Sequence, residues 1–106
     1  GKGISLPVPA DTASGDPVRV GVVNGTAIVD EGTGGNAEGF TSVDLFGGHF
    51  HTITGIGADA GAVGKAVYIT SAGVLTLTAS GNKLFGAVTH KHRGDVVVIL
   101  TQAISV

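Results

Sequence analysis

Two pairs of histidines are the residues of this sequence best placed to do chemistry. His49 and His51 stand two residues apart in "GGHFHTI", and His90 and His92 have the same spacing in "THKHRGD". In an extended strand, residues i and i+2 point to the same face, so each pair would present two imidazoles side by side. Paired imidazoles are a possible start of a metal site, provided that further ligands complete it.

The rest of the sequence does not complete such a site. In cupin barrels a His-x-His strand is followed by a later Glu and His, but here no acid follows His51 until Asp59. A site made of all four histidines requires neighbouring strands, and only Asp44 and Asp95 are near in sequence to orient the rings. We favour one pair on a solvent or interface face and the other in a polar hairpin loop. No metal or cofactor is predicted, with a metal shared on a trimer axis as an alternative.

The composition favours contact with other protein. A chain of 106 residues makes one domain with little core to spare, and this one has 19 glycines, four phenylalanines and one tyrosine. Charged residues make up only 13% of the chain, about half the usual share. A small, weakly charged domain of this kind is expected to gain stability by association.

Charge and hydropathy argue against several classes of partner. The net charge is -2 and the six basic residues are scattered, so nucleic acid is not an expected partner. The longest apolar runs, such as "DVVVIL", fall far short of the roughly 18 residues that a membrane span needs. No signal peptide is recognisable at residues 1–16, so we expect synthesis and folding in the cytoplasm.

Short β-branched runs separated by turn residues predict an all-β domain. Residues 1–16 are expected to form an extended arm, because Pro7 and Pro9 disfavour regular structure, and residues 17–106 to form the single β domain. Asn24-Gly25 between two apolar runs predicts a first hairpin, and Gly47-Gly48 predicts a second. The next segment, "GADAGAVG" at residues 57–64, has room for one helical turn at most, and no further hairpin is predicted before it ends.

The last third has the clearest pattern. Turns are predicted at residues 71–73 and 80–82, and a polar loop at "KHRG", between the runs "KAVYIT", "VLTLTA", "KLFGAVTH" and "DVVVILTQ". Such spacing is typical of a small Gly-rich antiparallel β-sandwich or barrel. The predicted core comprises Val20, Val22, Ile28, Val43, Leu45, Phe50, Ile53, Val67, Ile69, Leu75, Leu77, Leu84, Val88, Val97 and Ile99.

The sequence contains no complete enzymatic motif among those considered. "GADAGAVGKA" lacks the first glycine of a phosphate loop, since Asp59 stands there, and Ala66 replaces the magnesium-binding hydroxyl residue. No Gly-x-Ser-x-Gly elbow occurs, and the acids lie mostly in predicted turns. The sequon Asn24-Gly25-Thr26 is better explained by the hairpin turn, and Arg93-Gly94-Asp95 by chance. We therefore predict no catalytic residues and no enzyme.

Residues 62–101 carry a resemblance to a known family. The pattern consists of a Gly-Lys-x-Val-Tyr strand, a Gly-x-Leu-Thr-x-Thr segment, Gly-Asn, Gly-x-Val and a final Gly-Asp-x-x-Val-x-Leu strand. In this order and spacing the segment resembles small tailed-phage proteins that decorate and stabilise capsids. The pattern falls on Gly64, Lys65, Val67, Tyr68, Gly73, Leu75, Thr76, Thr78, Gly81, Asn82, Gly86, Val88, Gly94, Asp95, Val98 and Leu100. "GDPVRVG" and "SVDLFGGHF" agree more loosely, and His49 and His51 depart from the family pattern.

The resemblance implies a structural virion protein on the capsid exterior, made in the cytoplasm of a bacterial host. Its partners would be the major capsid protein and further copies of itself, as a homotrimer. The arm is the expected capsid contact, through Ile4, Leu6, Pro7, Val8 and Pro9. Two other classes stay open. One is a host- or sugar-binding virion domain, for which Phe40 and Phe46 are the candidate aromatics, and the other is a cupin-like metal protein.

Overall fold

A computed structural model describes residues 3–45, 49–53, 63–92, 95–100 and 104, the backbone alone being described at 90–92 and 95–100. The described residues form strands in two antiparallel sheets, which confirms the all-β prediction. They contain no helix, and so none with the length and apolar character to cross a membrane. The expectations that concern Phe46, Gly47-Gly48, Asp59 and Arg93-Gly94 lie outside the described residues, as does most of the segment 57–64.

The first sheet, sheet A, contains the strands from the first half of the chain. Its spatial order is β1-β4-β3-β2, with every neighbouring pair antiparallel. Ile104 adds an isolated antiparallel bridge to Val23, which brings a segment beyond the last strand back to this sheet. The strands are β1 (Ile4–Pro7), β2 (Pro17–Val20), β3 (Val23–Ala27) and β4 (Phe40–Asp44).

The second sheet, sheet B, contains the remaining strands in the order β5-β9-β8-β6-β7. Its longest strand, β8, pairs with β6 on one side and β9 on the other. Two register shifts interrupt β8, because Phe85 and Thr89 are each skipped in the pairing. Such bulges redirect side chains. The strands are β5 (Phe50–Ile53), β6 (Ala66–Ile69), β7 (Leu75–Thr76), β8 (Lys83–His92) and β9 (Asp95–Leu100).

The buried apolar residues form separate clusters within each sheet. Sheet A buries Val18, Ala27 and Val43, and sheet B buries Ile53, Val67 and Val88 beside a pair formed by Ile69 and Phe85. Five predicted core residues are buried, namely Val43, Ile53, Val67, Ile69 and Val88, whereas Val22, Ile28 and Phe50 are exposed. Val18, Ala27 and Phe85 were missed. Alternation alone does not fix which parity of a strand faces inward, and the bulge at Phe85 changes the parity within β8.

The first hairpin exists, but the prediction of its turn is wrong. Val20 pairs with Val23, so the turn is Gly21-Val22, and φ is +61° at Gly21 as a type II′ turn requires. Asn24 and Gly25 lie inside β3 and are buried, so Asn24 is neither a turn residue nor presented as a glycan acceptor.

The strand pairing predicted for the second hairpin is wrong, while its turn at Gly47-Gly48 lies outside the described residues. β4 and β5 follow one another along the chain but belong to different sheets, and β5 pairs with β9 instead. The pairing of Phe50 to Ile53 with Ile99 to Val96 joins segments more than 40 residues apart. Packing across the whole chain therefore overrides the local signal of the two glycines.

In the last third the predicted turns are confirmed, with bonds from Gly73 N to Thr70 O and from Asn82 N to Ala79 O. β7 is only two residues long, much shorter than "VLTLTA" suggests. The predicted loop "KHRG" is wrong at its start, because β8 continues through His92, which pairs with Asp95.

The prediction that proline excludes regular structure near residue 7 is also wrong. Ile4–Pro7 pairs with Phe40–Asp44 as a strand at one edge of sheet A. An edge strand tolerates proline, because one side of its backbone needs no ladder partner. The loop that follows is bonded to the domain, since Glu31 N donates to Thr12 O and Ser14 N donates to the Asp30 carboxylate. The predicted arm is thus continuous with sheet A from Ile4 onward.

Candidate functional site

Polar side chains connect the two sheets along a line that we call the polar seam, defined as Arg19, Asn24, Thr26, Asp44, His49 and His51. Asn24, on β3, donates from Nδ2 to the carbonyl oxygen of Leu84 at 2.7 Å. Arg19, on β2, donates from Nη1 to the carbonyl oxygen of Ile69 at 3.3 Å. Both bonds run from side chains of sheet A to the backbone of sheet B. They fix the distance between the sheets without chemistry of their own.

His51 occupies the buried part of the polar seam. Its Nε2 atom shares a hydrogen bond of 3.0 Å with Oγ1 of Thr26, and its side chain points inward from β5. The ring of Phe85 meets it edge-on, with the centroids 5.3 Å apart and the planes at 77°. The prediction of a solvent-facing or interface pair is therefore wrong for His51, which is buried between the sheets.

The surroundings of His51 hold it neutral. Its pKa is lowered from 6.5 to about 4, chiefly because burial disfavours the charged ring and also because His49 is close, while the carboxylate of Asp16 partly opposes the shift. An imidazole that stays neutral at pH 7 is an acceptor or donor within the fold but not a charged group.

His49 lies at the outer end of the polar seam. Its Nε2 atom is 2.8 Å from Oδ2 of Asp44, which is the last residue of β4. The His49 side chain is 35% exposed and that of Asp44 is 12% exposed. This contact joins the end of β4 in sheet A to the residue that precedes β5 in sheet B.

Acid is expected to weaken the fold through His51. Its folded pKa is below the unfolded value of 6.5, so its contribution to stability is complete above pH 6.5 and is lost as pH falls toward 4. Between pH 7 and pH 4.5 we expect a loss of about 2 kcal/mol from this group. Urea unfolding of the wild type and of His51→Gln at both pH values measures it.

The comparison with His51→Gln separates this loss from acid effects on carboxylates, which both proteins share. The glutamine variant is expected to lose less stability on acidification than the wild type by that amount. Equal losses in the two proteins would show that His51 does not contribute to the acid sensitivity.

The second histidine pair does not join the first. His90 and His92 lie on β8, whereas His51 lies on β5, and β9 runs between these two strands. Two strand spacings separate β5 from β8, about 10 Å in a sheet. The condition for a four-histidine site, neighbouring strands, is therefore not met. Where the structure describes side chains, no three His, Cys, Asp or Glu residues are grouped so that they could hold a metal ion.

A groove opens beside His51 at the edges of sheet B. It encloses about 470 Å³ and is lined by all four residues of β5. The other lining residues are Leu75, which begins β7, with Val74 before it, and Pro17, which begins β2, with Gly15 and Asp16 before it. β5 and β7 are the two ends of the strand order in sheet B. In a flat sheet they would lie about 19 Å apart, so their meeting at one groove shows that the sheet is strongly curled.

A smaller hollow of about 260 Å³ is lined by Asp11, Thr12, Ala13, Asp30 and Glu31. Its carboxylates accept hydrogen bonds from the backbone: Glu31 from Asp11 N and Gly39 N, and Asp30 from Ser14 N. These bonds secure the segment after β1 to the loop after β3. The hollow therefore results from the way these two loops are bonded to each other.

The predicted capsid-contact residues divide into two groups. Leu6 and Val8 pack against the apolar cluster of sheet A. Ile4, Pro7 and Pro9 are exposed, and Phe40, which pairs with Pro7, is exposed beside them. We call Ile4, Pro7, Pro9 and Phe40 the β1 surface. The contact itself stays a prediction.

Several residues of the polar seam and groove were not foreseen. Asn24 and Asp16 were assigned to turns, and Thr26 was considered only as part of a sequon. Their roles arise from the antiparallel register of β2 with β3 and from the approach of two sheet B strands, β5 and β8, to β3 of sheet A. No local pattern contains that information, because each partner is at least 25 residues away along the chain.

Comparison with protein-family models, with curated proteins and with solved structures finds no match to this chain.

Proposed function

We propose that this chain is a non-enzymatic decoration protein that binds the exterior of an assembled phage capsid and stabilises it. The resemblance of residues 62–101 to capsid-stabilising proteins is the first support. A binding role also accords with the described residues, whose histidines and acids take part in the fold: His51 bonds Thr26, His49 bonds Asp44, and Glu31 bonds backbone amides.

The observation that carries the proposal is the β1 surface. Ile4 is 52% exposed on the edge strand β1, and Phe40 is 39% exposed on its neighbour β4. The register places these two side chains on opposite faces of the sheet, so that they flank the β1 edge from both sides in a chain with few charged residues. Apolar side chains held on a rigid sheet edge are suited to contact with another protein. Proline at residues 7 and 9 limits the conformations of this edge before binding, which reduces the entropy lost on association.

Stabilisation of the capsid would then follow from mass action. A protein that binds the assembled shell and not its separated subunits shifts the equilibrium toward the shell in proportion to its occupancy. A trimer would place three β1 surfaces around a threefold axis of the shell, and each copy would add to the total affinity. No covalent step is needed.

The test is to mix the purified chain with expanded, undecorated capsids of the encoding phage and to record cryo-microscopy images and the rupture temperature. We expect density on the shell exterior and rupture at a higher temperature than for bare capsids. Ile4→Ser and Phe40→Ser are expected to reduce occupancy. Val63→Ser changes an exposed apolar side chain outside the β1 surface and is the matched control.

Three outcomes would contradict the proposal. One is no binding to expanded capsids at saturating protein. Another is binding to glycans or host cells in its place, which would support the host-recognition alternative. The third is stoichiometric metal in the purified protein by elemental analysis, which would return attention to the four histidines.

A further inference from the structure

The groove at the edges of sheet B has the properties of a peptide-binding site. β5 and β7 each pair with one strand among those described, β9 and β6 respectively, and both line the groove. The curled sheet therefore resembles a barrel with one gap, flanked by a strand edge on each side. We infer that the groove binds an extended peptide segment of a partner protein, which adds a strand to sheet B. This inference does not depend on capsid decoration.

The inner wall of the groove is preformed. Ile53 is buried in the sheet B cluster, against which Leu75 packs from β7, so these two strands are held in place. His51 is fixed by Thr26 and Phe85. The turn before β7 approaches the start of β2 closely, because a Cβ atom on Gly73 would lie 3.5 Å from the Pro17 carbonyl oxygen. A rigid groove requires little ordering when a ligand binds.

The outer rim supplies apolar contact. Phe50 is 63% exposed and Val74 is 59% exposed, and they lie on opposite sides of the groove. Alternate residues of an added strand would contact this rim, while those between them would point toward His51 and Ile53. β5 has four residues, which corresponds to a contact about 13 Å long.

Charge specifies the partner further. Among the described residues that line the groove, Asp16 is the only acidic or basic one besides His51, and His51 is neutral at pH 7. A peptide with one lysine or arginine near Asp16 would therefore be preferred over an acidic peptide. The segment that fits is thus extended, with apolar side chains at alternate positions and one basic residue.

The test uses a displayed library of random nine-residue peptides, selected against the immobilised full chain. We expect enrichment of alternating apolar sequences that contain a basic residue. In NMR titrations, the enriched peptides should slow the hydrogen exchange of amides in β5 and β7. Phe50→Ser and Val74→Ser are expected to weaken binding about tenfold each.

Asp16→Asn keeps the oxygen that accepts a bond from Ala13 N, so it tests charge alone. It is expected to weaken the basic peptides about threefold and to remove their salt dependence. Val63→Ser, an exposed apolar change outside the groove, is the control and should leave affinity unchanged. All four sites are at least partly exposed, so the variants should fold.

The inference would be overturned if no peptide is enriched, or if enriched peptides bind Phe50→Ser and Val74→Ser as tightly as the wild type. It would equally be overturned if the groove is filled by a second copy of this chain. In that case Phe50→Ser would change the oligomeric state in sedimentation experiments, and the wild type would not bind peptides.

Discussion

Gly25→Ala is expected to destabilise the domain by about 3 kcal/mol. Gly25 is buried in β3, and a Cβ atom there would overlap Cγ1 of Val43 and lie 2.8 Å from the carbonyl oxygen of Asp44. The second contact is with backbone, so relief requires β3 and β4 to move apart. Urea unfolding at pH 7 measures the loss, and an effect below about 1 kcal/mol would contradict the packing described for these strands.

Gly35→Ala provides a comparison for this substitution, because it shows the cost of backbone strain without a close contact. Gly35 has φ of +87°, and a Cβ atom added there would have no heavy atom within 4 Å beyond its chain neighbours, so alanine meets backbone strain alone. About 1 kcal/mol is expected. Gly25 does not have a positive φ, so Gly25→Ala meets the close contact of β3 with β4 and no left-handed strain, and a larger loss there than at Gly35 is due to that contact.

Phe85→Ala is expected to cost about 3 to 5 kcal/mol, because it leaves a large cavity on the buried face of sheet B, among Ile69, Leu75 and His51. Phe85 is fully buried, packs with Ile69 and Leu75, and supports the ring of His51 from its edge. Since domains of this size have a total stability of about 5 to 15 kcal/mol, the variant should be close to its limit at 37 °C.

Phe50→Ala provides the comparison, because it removes the same ring from an exposed position. A change within about 0.5 kcal/mol is expected there. If Phe85→Ala were as mild as Phe50→Ala, the bulge that turns Phe85 inward would be incorrectly placed. Thermal and urea unfolding of both variants are sufficient to decide.

The contrast between Asn24-Gly25 and Ser71 to Gly73 shows how far sequence can predict this fold. Both segments have turn residues between apolar runs, and the second does form a turn, at Thr70 to Gly73. In the first, the turn lies three residues earlier at Gly21, and Gly25 is instead required because Val43 packs over it. A glycine that permits close packing and a glycine that permits a turn look the same in one sequence.

The candidate site was less predictable than the strands. The histidine pairs are evident in the sequence, but the environment of His51 depends on Thr26 on β3, Phe85 on β8 and Asp16 just before β2, none of which is near it along the chain. The groove requires that β5 pair with β9, more than 40 residues away, and that sheet B curl so that β5 meets the start of β7. Such long-range pairing has no signature within either strand alone.

The bridge from Val23 to Ile104 also has a consequence for folding. It joins positions 81 residues apart (104 − 23), while β1 closes the same sheet from the other direction along the chain. Sheet A therefore cannot acquire all its described pairings until nearly the whole of this sequence has left the ribosome. Non-local pairings of this kind slow folding, since the entropy of closing a long loop is lost before the contact forms. We expect sheet A to be completed only after synthesis of residue 104, with the amide of Ile104 among the last positions to gain protection from hydrogen exchange and that of Val23, which the local hairpin bonds, among the earlier ones.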